Sequence, residues 1–309
     1  MTRIEPFEDR DIAAATELLA TRHARHRVAE PLLDDGVAGA ALERAWRTAR
    51  TSGVVARRDG AVTGYLFGRR GGGVFGEHVF VERAGSAADE PEIMRDLYAA
   101  AAPAWLASGA RRHLVLVPAT DAFLDPWYRL GFAQMHVEAI RPTGAEAVPL
   151  PHGVAIRQGG IVDIEVALGL AHVIGDIQQE TPSYAGVSRR SAESLRADWI
   201  ETLEDPSTAY FIVERDGEPV GHSTLYRPDP ELGNPADTLY LASTLTVRSL
   251  HGQGIGRALV AHVLRWARET GHGTVVTNWR VTNLLASRFW PARGWRPTFI
   301  RMDRTLPGP

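Results

Sequence analysis

The chain has 309 residues with 34 basic and 37 acidic side chains, a net charge of -3 and 44% hydrophobic residues. That balance suits a soluble globular protein, and it supplies no basic surface for nucleic acid or a membrane. With no Cys there are no disulfides, thiolate metal sites or acyl-cysteine route. Every basic residue is Arg, which removes the Walker lysine and any Schiff base. No apolar run reaches spanning length and "MTRIEPFEDRD" is not a signal peptide, so the expected compartment is the cytoplasm. Arg- and Ala-rich usage suggests a bacterial gene. The length predicts two domains.

In chain order, "IEPFEDRDIAAATELLA" from Ile4 predicts a strand, then Asp11 capping an apolar-periodic helix. His23 and His26 on that helix are of ligating type. A solvated helix face accounts for them, and with no third ligand no metal is expected. "VVARRDGAVTGYLFGR" from Val54 predicts a hairpin turning at Asp59-Gly60. After the strand "EHVFVER" comes "AGSAADEPEIMRDLY", where Gly85 is followed by Asp89, Glu90 and Glu92 at a helix start. Those carboxylates suit the helix dipole and would repel a phosphate there.

The same succession then recurs. "IRQGGIVDIEVALGLAH" from Ile156 repeats the strand and capped helix with Asp163. "FIVERDGEPVGHSTLY" from Phe211 repeats the hairpin with Asp216-Gly217, and "WPARGW", Trp290 to Trp295, answers "WYRLGF", Trp127 to Phe132. The period is too long for a solenoid. Two copies of one domain are therefore expected, at 1–142 and 154–309, joined by a proline-rich linker at 143–153.

Chemistry concentrates in the second copy. The strand "DTLYLASTLTV", Asp237 to Val247, runs into "HGQGIGRALV", His251 to Val260. The glycine spacing there fits neither a Rossmann nor a Walker loop. It leaves two readings: a plain strand-to-helix turn, or an anion cradle of converging N–H groups at a helix N-terminus. A second strand, "TVVTNW", and then "NLLASRFWPARGW", Asn283 to Trp295, follow.

These two ordered segments resemble the GNAT superfamily of acyl-CoA N-acyltransferases. His251, Gly254 and Gly256 fall on the family's pyrophosphate loop. Asn283, Ala286, Phe289, Trp290, Gly294 and Trp295 fall on its later motif. The layout is similar to that of tandem, mycothiol synthase-like proteins. The resemblance implies an α/β fold of α+β mixed-sheet type, with two tandem GNAT-like domains. Each would be a mostly antiparallel twisted sheet flanked by helices, and the first would be degenerate, with a structural or acceptor-shaping role.

The resemblance also implies acetyl-CoA, or another acyl-CoA, as co-substrate. Pantetheine would contact Leu245, Thr246 and Val247, and pyrophosphate would lie on Gly252, Gln253, Gly254, Ile255, Gly256, Arg257 and Ala258. Asn283, Ala286 and Trp290 would complete the site. Asn283 could equally serve only as a helix cap, and Arg257 as a solvated helix residue. The family's carboxylate on the strand before the loop is missing. Ser243, Thr244 and the neighbouring His222 stand as the catalytic candidates, with a buried hydrogen-bonded histidine as the other reading of His222. Glu180 and Tyr184, in "QQETPSY", fall where the family contacts its acceptor.

The expected activity is acetyl transfer from acetyl-CoA to a primary amine of a small molecule in a ternary complex. Two alternatives stay open. One is a non-catalytic acyl-CoA sensor or regulatory protein. The other is a transferase with an aminoacyl-tRNA donor, against which the acidic pI counts. No nucleic acid or membrane partner is expected, and the chain is expected as a monomer (an internal pseudo-dimer) or a homodimer.

Overall fold

The computed structural model describes residues 2–36, 38–73, 75–144, 148–185 and 191–307. The chain divides into two units. One comprises Met1–Ala139, Pro230–Pro235 and Arg296–Pro309, and the other Ile140–Asp229 and Ala236–Trp295. Each is a mixed, mostly antiparallel sheet flanked by helices.

The first unit contains β1 (Arg3–Pro6), β2 (Thr51–Arg58), β3 (Ala61–Gly71), β4 (His78–Val81), β5 (Ser86–Ala88), β6 (Arg112–Pro118) and β7 (Ala133–Pro142), which crosses its boundary. Its helices are α1 (Ile12–Ala29), α2 (Ala38–Arg47), α3 (Ile93–Ala107) and α4 (Asp121–Arg129). Strands β1 to β4 pair antiparallel in succession, and β4 pairs parallel with β6. The core under α1 and α2 contains Phe7, Leu19, Leu42, Val55, Tyr65 and Phe67.

The second unit contains β8 (Val154–Gln158), β9 (Thr208–Arg215), β10 (Glu218–Tyr226), β11 (Thr238–Thr246) and β12 (Thr274–Arg280). Its helices are α5 (Ile164–Leu170), α6 (His172–Gln179), α7 (Ala192–Glu204), α8 (Ile255–Glu269) and α9 (Leu284–Phe289). Its pairing repeats that of the first: β8 to β11 antiparallel, β11 to β12 parallel. Trp199 of α7 packs on Tyr210, whereas α8 covers the opposite face, with Trp266 and His262 against Phe211.

The repeat extends to single residues. Asp59-Gly60 and Asp216-Gly217 turn the two hairpins with φ of 53° and 84°, and 53° and 88°, the paired positive values of a type I′ turn. Asp11 and Asp163 stand at the helix starts, but they do not cap them as expected. Each accepts from the N–H three residues earlier, Glu8 at 2.9 Å and Gly160 at 3.0 Å, and each meets a strand arginine, Arg57 or Arg157. The arginine on the first or second strand draws each carboxylate away from the helix.

Two further expectations are corrected. The last strand, β13 (Arg296–Thr305), belongs to the first unit, where it pairs antiparallel with β6 from Phe299↔Pro118 to Thr305↔Arg112. The second unit therefore ends at Trp295 and not at 309. His23 and His26 are not solvated: both are about 98% buried. His23 Nε2 hydrogen bonds to the Asp34 carbonyl at 2.8 Å, and the His26 ring meets the Phe299 ring edge-on. Burial first, then Arg22, holds the His26 imidazole down at about 3. Among the described residues no group of three ligating side chains accompanies them.

Candidate functional site

Strands β11 and β12 run side by side only from Thr238↔Thr274 to Leu241↔Thr277, closed by a bond from Thr277 Oγ1 to the Leu241 carbonyl at 2.8 Å. At that point the register between β10 and β11 shifts. Thr224 faces Ser243 and Leu225 faces Leu241, which leaves Ala242 as an extra residue on β11. Such a bulge bends its strand. From Ala242 to Thr246 β11 stays bonded to β10 and leaves β12, so among the described residues the edge it turned towards β12 has no strand partner. The result is a gap flanked by Ser243 to Thr246 and by Asn278 to Arg280.

The gap ends at the glycine turn. Val247 bonds back to the Val220 carbonyl at 2.8 Å, a short 3-10 turn covers Arg248–Leu250, and His251 Nε2 donates to the Thr246 carbonyl at 3.0 Å. Gly252 and Gly254 have φ of 81° and 83°, values at which a side chain would be strained. Gly254 is the N-cap of α8 and offers no side-chain oxygen. The first helical N–H to find its partner is that of Ala258, on the Gly254 carbonyl at 3.0 Å. The N–H groups of Ile255, Gly256 and Arg257 precede it and have no intrahelical acceptor. A Cβ on Gly256 would meet the Phe289 ring at 3.5 Å. Ile255 and Ala258 are buried and anchor the helix start, while Gln253 accepts from Arg215. The turn thus presents main-chain donors and the positive end of a helix of 15 residues, which is an anion-binding geometry.

The later motif forms the adjoining wall. Asn283 caps α9, its side chain accepting from the Ala286 N–H at 3.1 Å. Ala286 is half-buried, and Trp290 is buried in a cluster with Trp279 and Trp295, with centroids at 6.5 and 5.2 Å. The Trp290 ring is therefore part of a packed core.

On the face covered by α5 and α7, His222 Nε2 lies 3.0 Å from Ser243 Oγ. Its imidazole sits among Trp199 and Tyr210 and is 1% exposed; burial depresses its pKa to about 4. The Ser223 and Thr244 hydroxyls are hydrogen bonded to each other at 2.8 Å, and both lie within reach of the Ser243 carbonyl, which accepts from whichever of the two does not donate to the other. Glu180, after α6, is bound at both oxygens by Arg248, at 3.0 and 2.7 Å, and this pairing lowers its pKa. Tyr184 is 73% exposed with φ of 39°. Ala242, Arg248 and Asn278, whose side chain donates to the Tyr240 hydroxyl, escaped the sequence reading. No sequence signal separates a bulge at Ala242 from regular alternation.

Residues 174–295 match the model of the Acetyltransferase (GNAT) family. The second unit carries a GNAT-family domain. No curated protein matches the chain at a significant level. Among solved structures the chain is similar to a GCN5-related N-acetyltransferase from Sphaerobacter thermophilus, at 14% identity and a TM-score of 0.66, over 100% of this chain and 97% of that one. A tandem GNAT protein from the clavulanic acid biosynthesis pathway is similar at 16% identity and a TM-score of 0.53, with full coverage of both chains. A glucosamine N-acetyltransferase region of a fungal multi-domain GH3 β-N-acetylglucosaminidase gives 13% identity and 0.57, over 98% of this chain and 38% of that one. At these identities the likeness is one of fold, and the fold is that of tandem GNAT proteins.

Within the first unit, the segment equivalent to the glycine turn of the second is closed by its own contacts. That segment, after β4, is sewn to β3, with Phe67 N–H on the Gly85 carbonyl at 2.8 Å and β5 paired along Gly64–Leu66. Gly85 has no room for a Cβ, which would lie 2.7 Å from the Phe67 carbonyl oxygen. The guanidinium of Arg22 is buried against this segment and donates to the carbonyls of Arg83, at 2.5 Å, and Ser86. Carbonyl oxygens facing an internal cation stand where the second unit has the N–H groups of its glycine turn and helix start. Glu90 and Glu92 at the start of α3 are paired with Arg58 and Arg129.

Proposed function

We propose that the second unit transfers an acyl group, acetyl foremost, from acyl-CoA to a primary amine of a small molecule, with both substrates bound together. The observation that carries this reading is the splayed β11–β12 gap ending on an uncapped, glycine-walled helix start. Leu245, Thr246 and Val247 would line the pantetheine arm, the N–H groups from Gly252 to Ala258 the pyrophosphate, and Asn283, Ala286 and Trp290 the far wall. The amine nitrogen attacks the thioester carbonyl, a C–N bond forms, the C–S bond breaks, and the CoA thiolate leaves. We place the amine on the Ser243 side, with Glu180 and Tyr184 at its entrance.

The proton inventory shapes the role of His222. An alkylamine titrates near 10.4, so reaching its neutral form at pH 7 costs roughly 4–5 kcal/mol. An imidazole held at about 4 lies roughly 9 kcal/mol too low to take that proton directly. It is neutral at pH 7 and can accept from the Ser243 hydroxyl. We therefore assign His222, with Thr244, to positioning Ser243, and the amine proton to water.

The absence of a carboxylate from Tyr240 to Thr246 favours one other reading, an acyl-CoA-binding protein without turnover. Release of free CoA from acetyl-CoA, measured against pooled amines, amino acids and aminoglycosides, separates the two. Amine-dependent release supports transfer. Binding of acetyl-CoA with no release for any amine overturns transfer and leaves the sensor reading.

A further inference from the structure

In the first unit a buried cation stands without a counter-charge. Arg22 of α1 is 5% exposed, and its guanidinium donates to the carbonyls of Arg83 and Ser86. Among the described residues no carboxylate pairs with it, and its buried Nε has no acceptor. The titratable groups around it supply no negative charge. Burial, and then the Arg22 charge itself, hold the His23 and His26 imidazoles down, and burial keeps the Tyr65 hydroxyl protonated. Carbonyl dipoles offset a full charge only in part, and a buried ion without a partner is strongly unfavourable.

Arg22 lines a cleft of about 40 Å³. A water needs roughly 10–15 Å³ by the same measure, so the cleft takes a group of a few heavy atoms and not a nucleotide. Its inner walls are apolar and buried, formed by Met94 of α3, Val117 of β6 and Trp127 of α4. Its outer residues include Arg25 and Ala122, both exposed. Arg25 lies three residues on from Arg22, one turn along the same face of α1, and it too makes no ion pair among the described residues. The acidic residues flanking the rim at Pro91, Glu90 and Glu92, are taken by Arg58, Arg95 and Arg129.

We propose that this cleft binds a small aliphatic carboxylate, with its oxygens on Arg22 and Arg25 and its hydrocarbon stem against Met94, Val117 and Trp127. A carboxylate supplies the missing counter-charge and meets a guanidinium as a two-point acceptor. A neutral molecule of the same shape lacks that charge. A bare inorganic anion gains nothing from the apolar walls, which leave its other lone pairs unsatisfied. The site lies wholly within the first unit and is independent of the acyl-CoA reading.

The test is titration of the full chain with butyrate at constant ionic strength, against butyramide and chloride. Affinity is read by ligand-observed NMR and by the rise in thermal unfolding midpoint. Butyrate should bind saturably, and butyramide and chloride at least about tenfold more weakly. Arg25→Gln, at an exposed position, should weaken butyrate by about threefold or more, and Arg22→Met should remove its binding. Because Arg22 also holds the carbonyls of Arg83 and Ser86, Arg25→Gln decides the matter if Arg22→Met unfolds. Gly256→Glu should leave butyrate affinity unchanged, which separates this cleft from the glycine turn of the second unit. No saturable butyrate binding below about 10 mM overturns the site. Butyramide or chloride binding as well as butyrate overturns the carboxylate assignment. An unchanged affinity in Arg25→Gln, or a loss in Gly256→Glu, puts the carboxylate elsewhere and overturns the proposal as well.

Discussion

Gly256 gives the sharpest single-residue test because the fold does not require a glycine there. Its φ is not among the positive ones, and a Cβ would touch Phe289 only at ordinary contact distance. A glutamate in the first turn also suits the helix dipole. Gly256→Glu should therefore keep its circular dichroism and unfolding midpoint while placing a carboxylate at the cradle. Two like charges about 4 Å apart at an effective dielectric near 20 repel by roughly 4 kcal/mol, and exposure reduces this. A loss of CoA affinity of at least about tenfold is expected by calorimetry, and an unchanged affinity would remove the cradle. His222 gives a pH test. Its folded value of about 4 lies below the unfolded value near 6.5, so its neutral form contributes stability fully above about pH 6.5, and that stability is lost as pH falls towards 4. The term is roughly 3 kcal/mol. His26 and His113, depressed to about 3 and about 4, act in the same direction. His222→Gln should therefore show a smaller drop in urea midpoint between pH 7 and pH 4.5 than the unsubstituted chain. An equal drop would mean that His222 is not titrating from a buried state.

At the scale of elements, β13 decides what each half can do alone. It comes from the end of the chain yet bonds to β6 along Arg112–Pro118, so a fragment of residues 1–142 lacks an internal strand of its own sheet. Such a fragment should be soluble poorly or not at all and lack a cooperative thermal transition, because an exposed strand edge is a template for aggregation. A monomeric, cooperatively folding 1–142 fragment would contradict that dependence. The repeats in the sequence made the hairpins legible, since Asp-Gly has one common use between two strands. The glycine turn and the capping role of Asn283 were legible for a similar reason: each depends on residues within about five positions. The destination of β13 was not, because strand partners at sequence distances near 190 leave no local pattern. The burial of His23 and His26 failed for the opposite reason. Polar side chains on a helix read as solvated, and only the packing of α1 against Phe299 and the Asp34 carbonyl reverses that. Trp290, which the motif assigns to the site, stacks on Trp279 and meets Trp295 edge-on, contacts that no local pattern announces.

For the molecule as a whole, the two copies make opposite use of one topology, and one acyl-CoA per chain is the expected stoichiometry. The second unit turns main-chain donors outward, whereas in the first the carbonyls of Arg83 and Ser86 are already bound by Arg22. Titration of the full chain should give a ratio near one that Gly256→Glu eliminates. A ratio near two would mean that the first unit also holds the ligand. The late arrival of β13 has a consequence during synthesis. Roughly 150 residues separate β7 from β13, and at about 5–20 residues per second a ribosome needs roughly 8–30 s to make them. Throughout that interval the nascent first unit holds an open slot beside β6, long after its own helices and hairpins have emerged. The order of completion is thus inverted: the half translated first is the half that finishes last, and it waits on the final strand to leave the exit tunnel. A chain arrested just short of Arg296 would carry a finished second unit on an unfinished first one, and that state is the natural substrate for a chaperone or a protease.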